Sequence, residues 1–112
     1  MKIYIAGPMT GIADFNYPAF NVAEQILLLQ GHKVFNPVHS EKENTGEYQQ
    51  QDWNWYLRNA IKLLVDADAI CLLPMWHKSQ GANLEVHIAK SLGMPLMMLD
   101  FNDNLVLMGE ER

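Results

Sequence analysis

Residues 69–74 read AICLLP, an apolar run that ends at a proline. A strand with one face in water alternates apolar and polar residues, and this run does not alternate. It is therefore expected to be a strand buried on both faces, at the centre of a parallel sheet that carries helices on each side. Cys71, the only cysteine of the chain, lies inside it. A thiol in such surroundings acts as a small buried hydrophobe, and a lone cysteine forms no disulfide within one chain.

Outward from this run, strand and helix patterns alternate. Upstream, KIYIA at 2–6 reads as a strand, and GPMTG at 7–11 as a glycine-bounded loop. Apolar residues at Phe15, Ala19, Phe20, Ala23, Ile26, Leu27 and Leu29 keep helical spacing over 15–30, and Gly31 follows as a terminator. HKVFNP at 32–37 is a second short strand, and 38–46 a polar loop. A second helix is expected over about 47–66, with Trp53, Tyr56, Leu57, Ile61, Leu64 and Val65 as its apolar face. Downstream, 80–92 reads as a third helix and PLMML at 95–99 as a fourth strand. LVLM at 105–108 is either a short fifth strand or a frayed end. This alternation predicts one α/β domain over 1–112, doubly wound around a central parallel sheet of four or five strands. Ligands of such folds gather beyond the carboxyl ends of the strands, which brings together the loops at 7–11, 36–40 and 74–81.

Composition narrows the partners. The chain has 112 residues, 49% of them hydrophobic and 19% charged, with a net charge of -5 and only 8 lysines and arginines. No basic stripe exists to hold a nucleic-acid polymer, although backbone N–H groups can hold one small anion without any net positive charge. No apolar run approaches the roughly 18 residues of a membrane span, and the start of the chain lacks a signal-peptide pattern. A cytoplasmic location is the expectation. His32, His39, His77 and His87 show no metal-ligand spacing, and the loop at 7–11 is neither a dinucleotide fingerprint nor a P-loop, so neither metal nor cofactor is expected.

SQGANLE at 79–85 opens the third helix. Gly81 lets a ligand approach the backbone, the N–H groups near Gly81 and Ala82 are suited to a phosphate, and Ser79 adds a hydroxyl. Glu85 follows about one turn later, roughly 6 Å along the axis. Leu84, Ile88 and Leu92 mark the expected core face, with Glu85 at its border. The plainer reading makes Ser79 an N-cap and Glu85 a solvated acid favourable to the helix dipole.

IYIAGPMTG, VFNP, DADAICLLPMWHKSQGANLE and AKSLGMPL, in that order, resemble the nucleoside 2-deoxyribosyltransferase-like superfamily, closest to a small branch common in bacteria and their phages. The resemblance covers about residues 2–98. It implies a Rossmann-like (flavodoxin-like) three-layer domain, a homodimer or higher homo-oligomer, and a deoxynucleoside or deoxynucleotide as ligand. The implied reaction is N-glycosyl transfer to another base, or to water, through a covalent sugar ester. Glu85 matches the nucleophile, Ser79 and Gly81 the phosphate-holding residues, and Gly7, Pro8 and Met9 the segment that contacts sugar or base. Two positions depart from the pattern. The aspartate expected eight residues before Asp68 is Ala60, and the glycine and acid expected after Pro74 are Met75 and His77. Assistance to the leaving base then falls to Asp68, to His77 or to a neighbouring chain. The alternatives are a nucleotide-binding protein with little or no turnover, and a protein-interaction module.

Overall fold

A computed structural model describes residues 1–38 and 52–108. Five strands form one sheet: β1 (Lys2–Ala6), β2 (Lys33–Phe35), β3 (Ala69–Leu72), β4 (Leu96–Leu99) and β5 (Leu105–Leu107). Three main helices connect them: α1 (Tyr17–Leu29), α2 (Asp52–Val65) and α3 (Gln80–Ser91). The order across the sheet is β2-β1-β3-β4-β5, with the first four strands parallel and β5 antiparallel to β4. The fifth strand is therefore real and turns back as a hairpin, the one departure from an all-parallel sheet. Every residue of β3 is buried, as its unbroken apolar run requires.

Strand alternation divides the core into two layers. Ile3 and Ile5 of β1 face α1, where Phe20, Ala23, Leu27, Cys71 and Leu73 complete one cluster. Tyr4 and Ala6 face the other way, toward Ala60 and Leu64 of α2 and Ala82, Val86 and Ala89 of α3. The chain reverses direction across the sheet between β1 and β3, the switch point at which flavodoxin-like domains bind ligands.

Helix ends follow their sequence signals with some changes. Gly31, at φ 90°, follows the end of α1 in the left-handed conformation that glycine adopts without cost. The entry to α1 is a short turn, Ala13–Asn16, in which Asp14, Phe15 and Asn16 are all left-handed, and Asn16 Nδ2 donates to the Pro8 carbonyl at 2.9 Å. Phe15 thus precedes α1 instead of packing from it, and Leu29 at the other end is exposed. The expected first turn of α2 at 47–51, the loop at 39–46 with His39 and Ser40, and the side chain of Trp53 lie outside the described residues.

Met75 follows Pro74 with φ 69°, and its side chain is exposed. A left-handed residue with a Cβ is strained by about 1–2 kcal/mol, whereas glycine costs roughly 0.5–1 kcal/mol in extra unfolded-chain entropy. Met75→Gly is expected to stabilise the fold by about 0.5–1 kcal/mol. A thermal melt shows it as a rise of a few degrees, and an unchanged or lower midpoint counts against strain at this position.

Candidate active site

The site is built from β1, β3 and the start of α3. Glu85, 6% exposed, points into the core instead of bordering it. The buried face of α3 is Ala82, Glu85, Val86 and Ala89, while Leu84 is 38% and Leu92 55% exposed. Small residues at 82 and 89 let α3 pack closely on the sheet, so the large apolar residues are not the ones facing it. Among the described residues, one side chain hydrogen-bonds the carboxylate there. Tyr4 Oη donates to Glu85 Oε2 at 2.6 Å, between two buried side chains. Among the described residues no hydrogen bond reaches Oε1, and none of their side-chain polar atoms is both buried and unpartnered. Oε1 is therefore the oxygen that reaches the surface.

Burial dominates the electrostatics. Desolvation lifts the Glu85 pKa from 4.5 to about 7, against the smaller lowering effect of the Tyr4 hydroxyl. Tyr4 is pushed well above the ordinary tyrosine range by burial and then by the Glu85 charge, so it remains a hydrogen-bond donor. Cys71, by contrast, is raised to about 12 by burial alone and is chemically quiet.

The entry to α3 departs from expectation in one detail. Ser79 is the N-cap, and its Oγ accepts from the Ala82 N–H at 3.1 Å, so that amide is already engaged. Among the described residues no hydrogen bond holds the N–H of Gln80 or Gly81. Asn83 Nδ2 bonds the carbonyls of His77 and Ser79, each at 2.8 Å, which fixes the turn that leads into the helix.

The two glycines of the site have different reasons. A Cβ at Gly7 would lie 2.8 Å from Leu73 Cβ, so packing of the first loop on β3 demands glycine there. A Cβ at Gly81 would meet nothing nearer than Ser79 Oγ at 4.0 Å, so the fold makes no such demand. Pro8 is buried, and Met9 receives the Tyr56 hydroxyl at 3.7 Å from Sδ.

The remaining candidates separate. His77 is exposed on a short turn, Trp76–Lys78, in the loop after β3 and so at the same end of the sheet as Gly7–Met9. Asp68 stands before β3 at the amino ends of the strands, where its Oδ2 accepts from the Lys2 N–H at 2.8 Å. The structure does not bring it to Glu85. Ala60 is buried in the cluster that contains Tyr4, and the adjacent Asn59 is turned to the Trp55 carbonyl at 2.8 Å. A concavity of about 500 Å³ lined by Asp14, Phe15, Tyr17, Pro18 and Asn21 lies beside α1 and includes none of these residues.

Tyr4 is a part of the site that local spacing does not single out, whereas helical spacing already places Tyr56 on the apolar face of α2. One signal existed for Tyr4, because a tyrosine in an otherwise aliphatic, fully buried strand needs a partner for its hydroxyl.

Fold and site together define a flavodoxin-like α/β domain that presents a buried carboxylate beside a helix N-terminus at its switch point. A family model described as "Domain of unknown function (DUF4406)" matches residues 1–98, and the chain belongs to that family. No protein of curated function matches it in sequence. Among solved structures it is similar to a 2-deoxyribosyltransferase from the psychrotolerant bacterium Bacillus psychrosaccharolyticus, with a TM-score of 0.70 over 88% of this chain and 71% of that one, at 23% identity. At that identity the likeness is one of fold. No helix among the described residues is long and apolar enough to cross a membrane.

Proposed function

We propose that this protein cleaves or transfers the N-glycosidic bond of a 2-deoxynucleoside or its 5′-monophosphate, with Glu85 as the nucleophile. The observation that carries this reading is the Glu85–Tyr4 pair: a desolvated carboxylate held by one donor on Oε2, with Oε1 open. Attack of Oε1 on C1′ as the base departs gives a glycosyl ester, which water or a second base then resolves with net retention. The fold shared with a 2-deoxyribosyltransferase supports the substrate class. Incubation with each deoxynucleoside and each monophosphate, followed by chromatography for free base, tests the activity. A second base in the mixture separates transfer from hydrolysis. Ala60 favours a second reading, a nucleotide-binding protein with little turnover, which predicts binding by calorimetry without base release.

The N–H groups of Gln80 and Gly81, with the Ser79 hydroxyl, form the phosphate subsite in this proposal. Gly81→Ala is expected to stabilise the helix by about 0.5–1 kcal/mol while weakening monophosphates more than nucleosides. Ser79→Ala loses the cap, at about 1 kcal/mol of stability, and a further roughly 1.5–3 kcal/mol of affinity for monophosphates alone. Equal losses for a nucleoside and its monophosphate, measured by calorimetry, would refute the subsite.

A homo-oligomer is part of the same proposal. Phe20 is fully buried and offers no surface, but Phe15 at 59% and Trp55 at 41% exposure do. Light scattering is expected to give a multiple of 12.8 kDa, and a monomer at micromolar concentration would refute it.

A further inference from the structure

Departure of a nucleobase at neutral pH calls for a proton or a strong hydrogen bond on the base. Ala60 has none to give, and Asp68 is at the wrong end of the sheet. We propose that the Tyr56 hydroxyl, one helical turn before Ala60 on α2, is the acid that protonates the departing base. This rests on the reading of Glu85 as nucleophile and adds the missing half of that reaction.

Three observations place Tyr56 there. It lies four residues before Ala60, hence on the same helix face, and it packs against the cluster that contains Tyr4, Ala60 and Ala82. Its hydroxyl donates to Met9 Sδ at 3.7 Å, which sets it against the loop at the carboxyl end of β1. It is also near enough to Tyr4 for its charge to oppose ionisation of that residue. Tyr56 therefore touches the first loop and packs on the cluster that holds Tyr4. A thioether is a weak acceptor, and a ring nitrogen or carbonyl of a base is a stronger one.

The steps balance. As Glu85 Oε1 bonds to C1′, the C1′–N bond breaks with its electron pair on the base, and the Tyr56 proton moves to the base. The neutral base leaves behind a glycosyl ester and a phenolate. Water, or the N–H of a second base, then attacks C1′, and the phenolate takes its proton. Glu85 and Tyr56 return to their starting states, with one residue serving as acid and then as base.

The test compares leaving groups. Tyr56→Phe keeps the ring that packs against the cluster containing Tyr4 and Ala60 and removes only the oxygen. On natural deoxynucleosides it is expected to lower kcat/KM by roughly 100-fold or more. On the 4-nitrophenyl 2-deoxyriboside, whose nitrophenolate departs without a proton, the loss should stay below about threefold. That second rate also reports that the variant is folded. Equal losses on both substrates, or none on either, would overturn the role of Tyr56 and leave the nucleophile intact. Glu85→Gln should remove both activities, and base release that survives it overturns the proposed function itself. So does wild-type protein that releases no base, and the role of Tyr56 falls with it.

Discussion

Glu85→Gln is expected to lower base release by at least about a thousandfold while making the folded protein more stable at pH 8. In the proposed reaction the carboxylate acts mainly on the transition state, so nucleotide binding should survive this change and also Glu85→Ala. The gain in stability follows from burial. The Glu85 pKa is about 7 in the fold against an ordinary 4.5, so the folded protein binds the extra proton between these values. A raised acid contributes stability that is fully present below pH 4.5 and is lost as pH rises through about 7. At pH 8 the wild-type fold holds an ionised carboxylate in its core, at a cost on the order of 3 kcal/mol, and glutamine avoids it. Urea unfolding should therefore show a difference at pH 8 that fades at pH 4.5. The same shift places the acid limb of the wild-type rate profile near pH 7, with the rate rising as Glu85 ionises. A stability difference independent of pH would show that Glu85 is not desolvated as described.

Tyr4→Phe is the second large effect, and it works in the opposite sense on stability. The Tyr4 hydroxyl is the one hydrogen-bond donor to Glu85 among the described residues, and it lowers the carboxylate's pKa. Without it the ionised form is buried and unpartnered, so the pKa climbs above 7 and the acid limb moves to higher pH. At pH 8 the fold should lose roughly 1.5–3 kcal/mol, the usual worth of a hydrogen bond to a charged group, and less at pH 5, where Glu85 is neutral. In a Glu85→Gln background the same change should cost only about 1 kcal/mol. That double-mutant cycle isolates the pair from the packing of the ring. A Tyr4→Phe cost unaffected by residue 85 would remove the hydrogen bond from the account.

The contrast between Glu85 and Tyr4 shows what the sequence reveals and what it withholds. Residues 69–74 give the sheet away because a six-residue apolar run has few other uses, and β3 is buried throughout. SQGANLE gives a cap, a helix and an acid one turn in, all of which form. Which side of α3 faces the sheet is harder. Size suggests Leu84 and Leu92, but a helix packed close on a strand needs alanines, and the contact falls on Ala82 and Ala89. The partner of Glu85 is 81 residues away in the chain, and no periodicity links the two. Asp68 lies apart from Glu85 because a residue that precedes a strand starts at the end opposite the ligand loops. The fifth strand could not be given a direction from LVLM alone, since only the hairpin turn after β4 decides it.

The position of the Glu85–Tyr4 bond also determines how the molecule moves. Tyr4 sits in the middle of β1, paired on one side with β2 and on the other with β3. Amides at the centre of such a sheet exchange their hydrogens with solvent only when the whole domain opens, whereas those of loops exchange through small local excursions. Glu85, the proposed nucleophile, is thus tied to a central strand, and adaptation to a ligand is expected from the backbone at 7–11 and 74–81. Ligand-induced protection should concentrate in those two segments, with β1 and β3 as slow in the free protein as in the complex. A chain built this way has the Glu85 carboxylate in register as soon as it has folded.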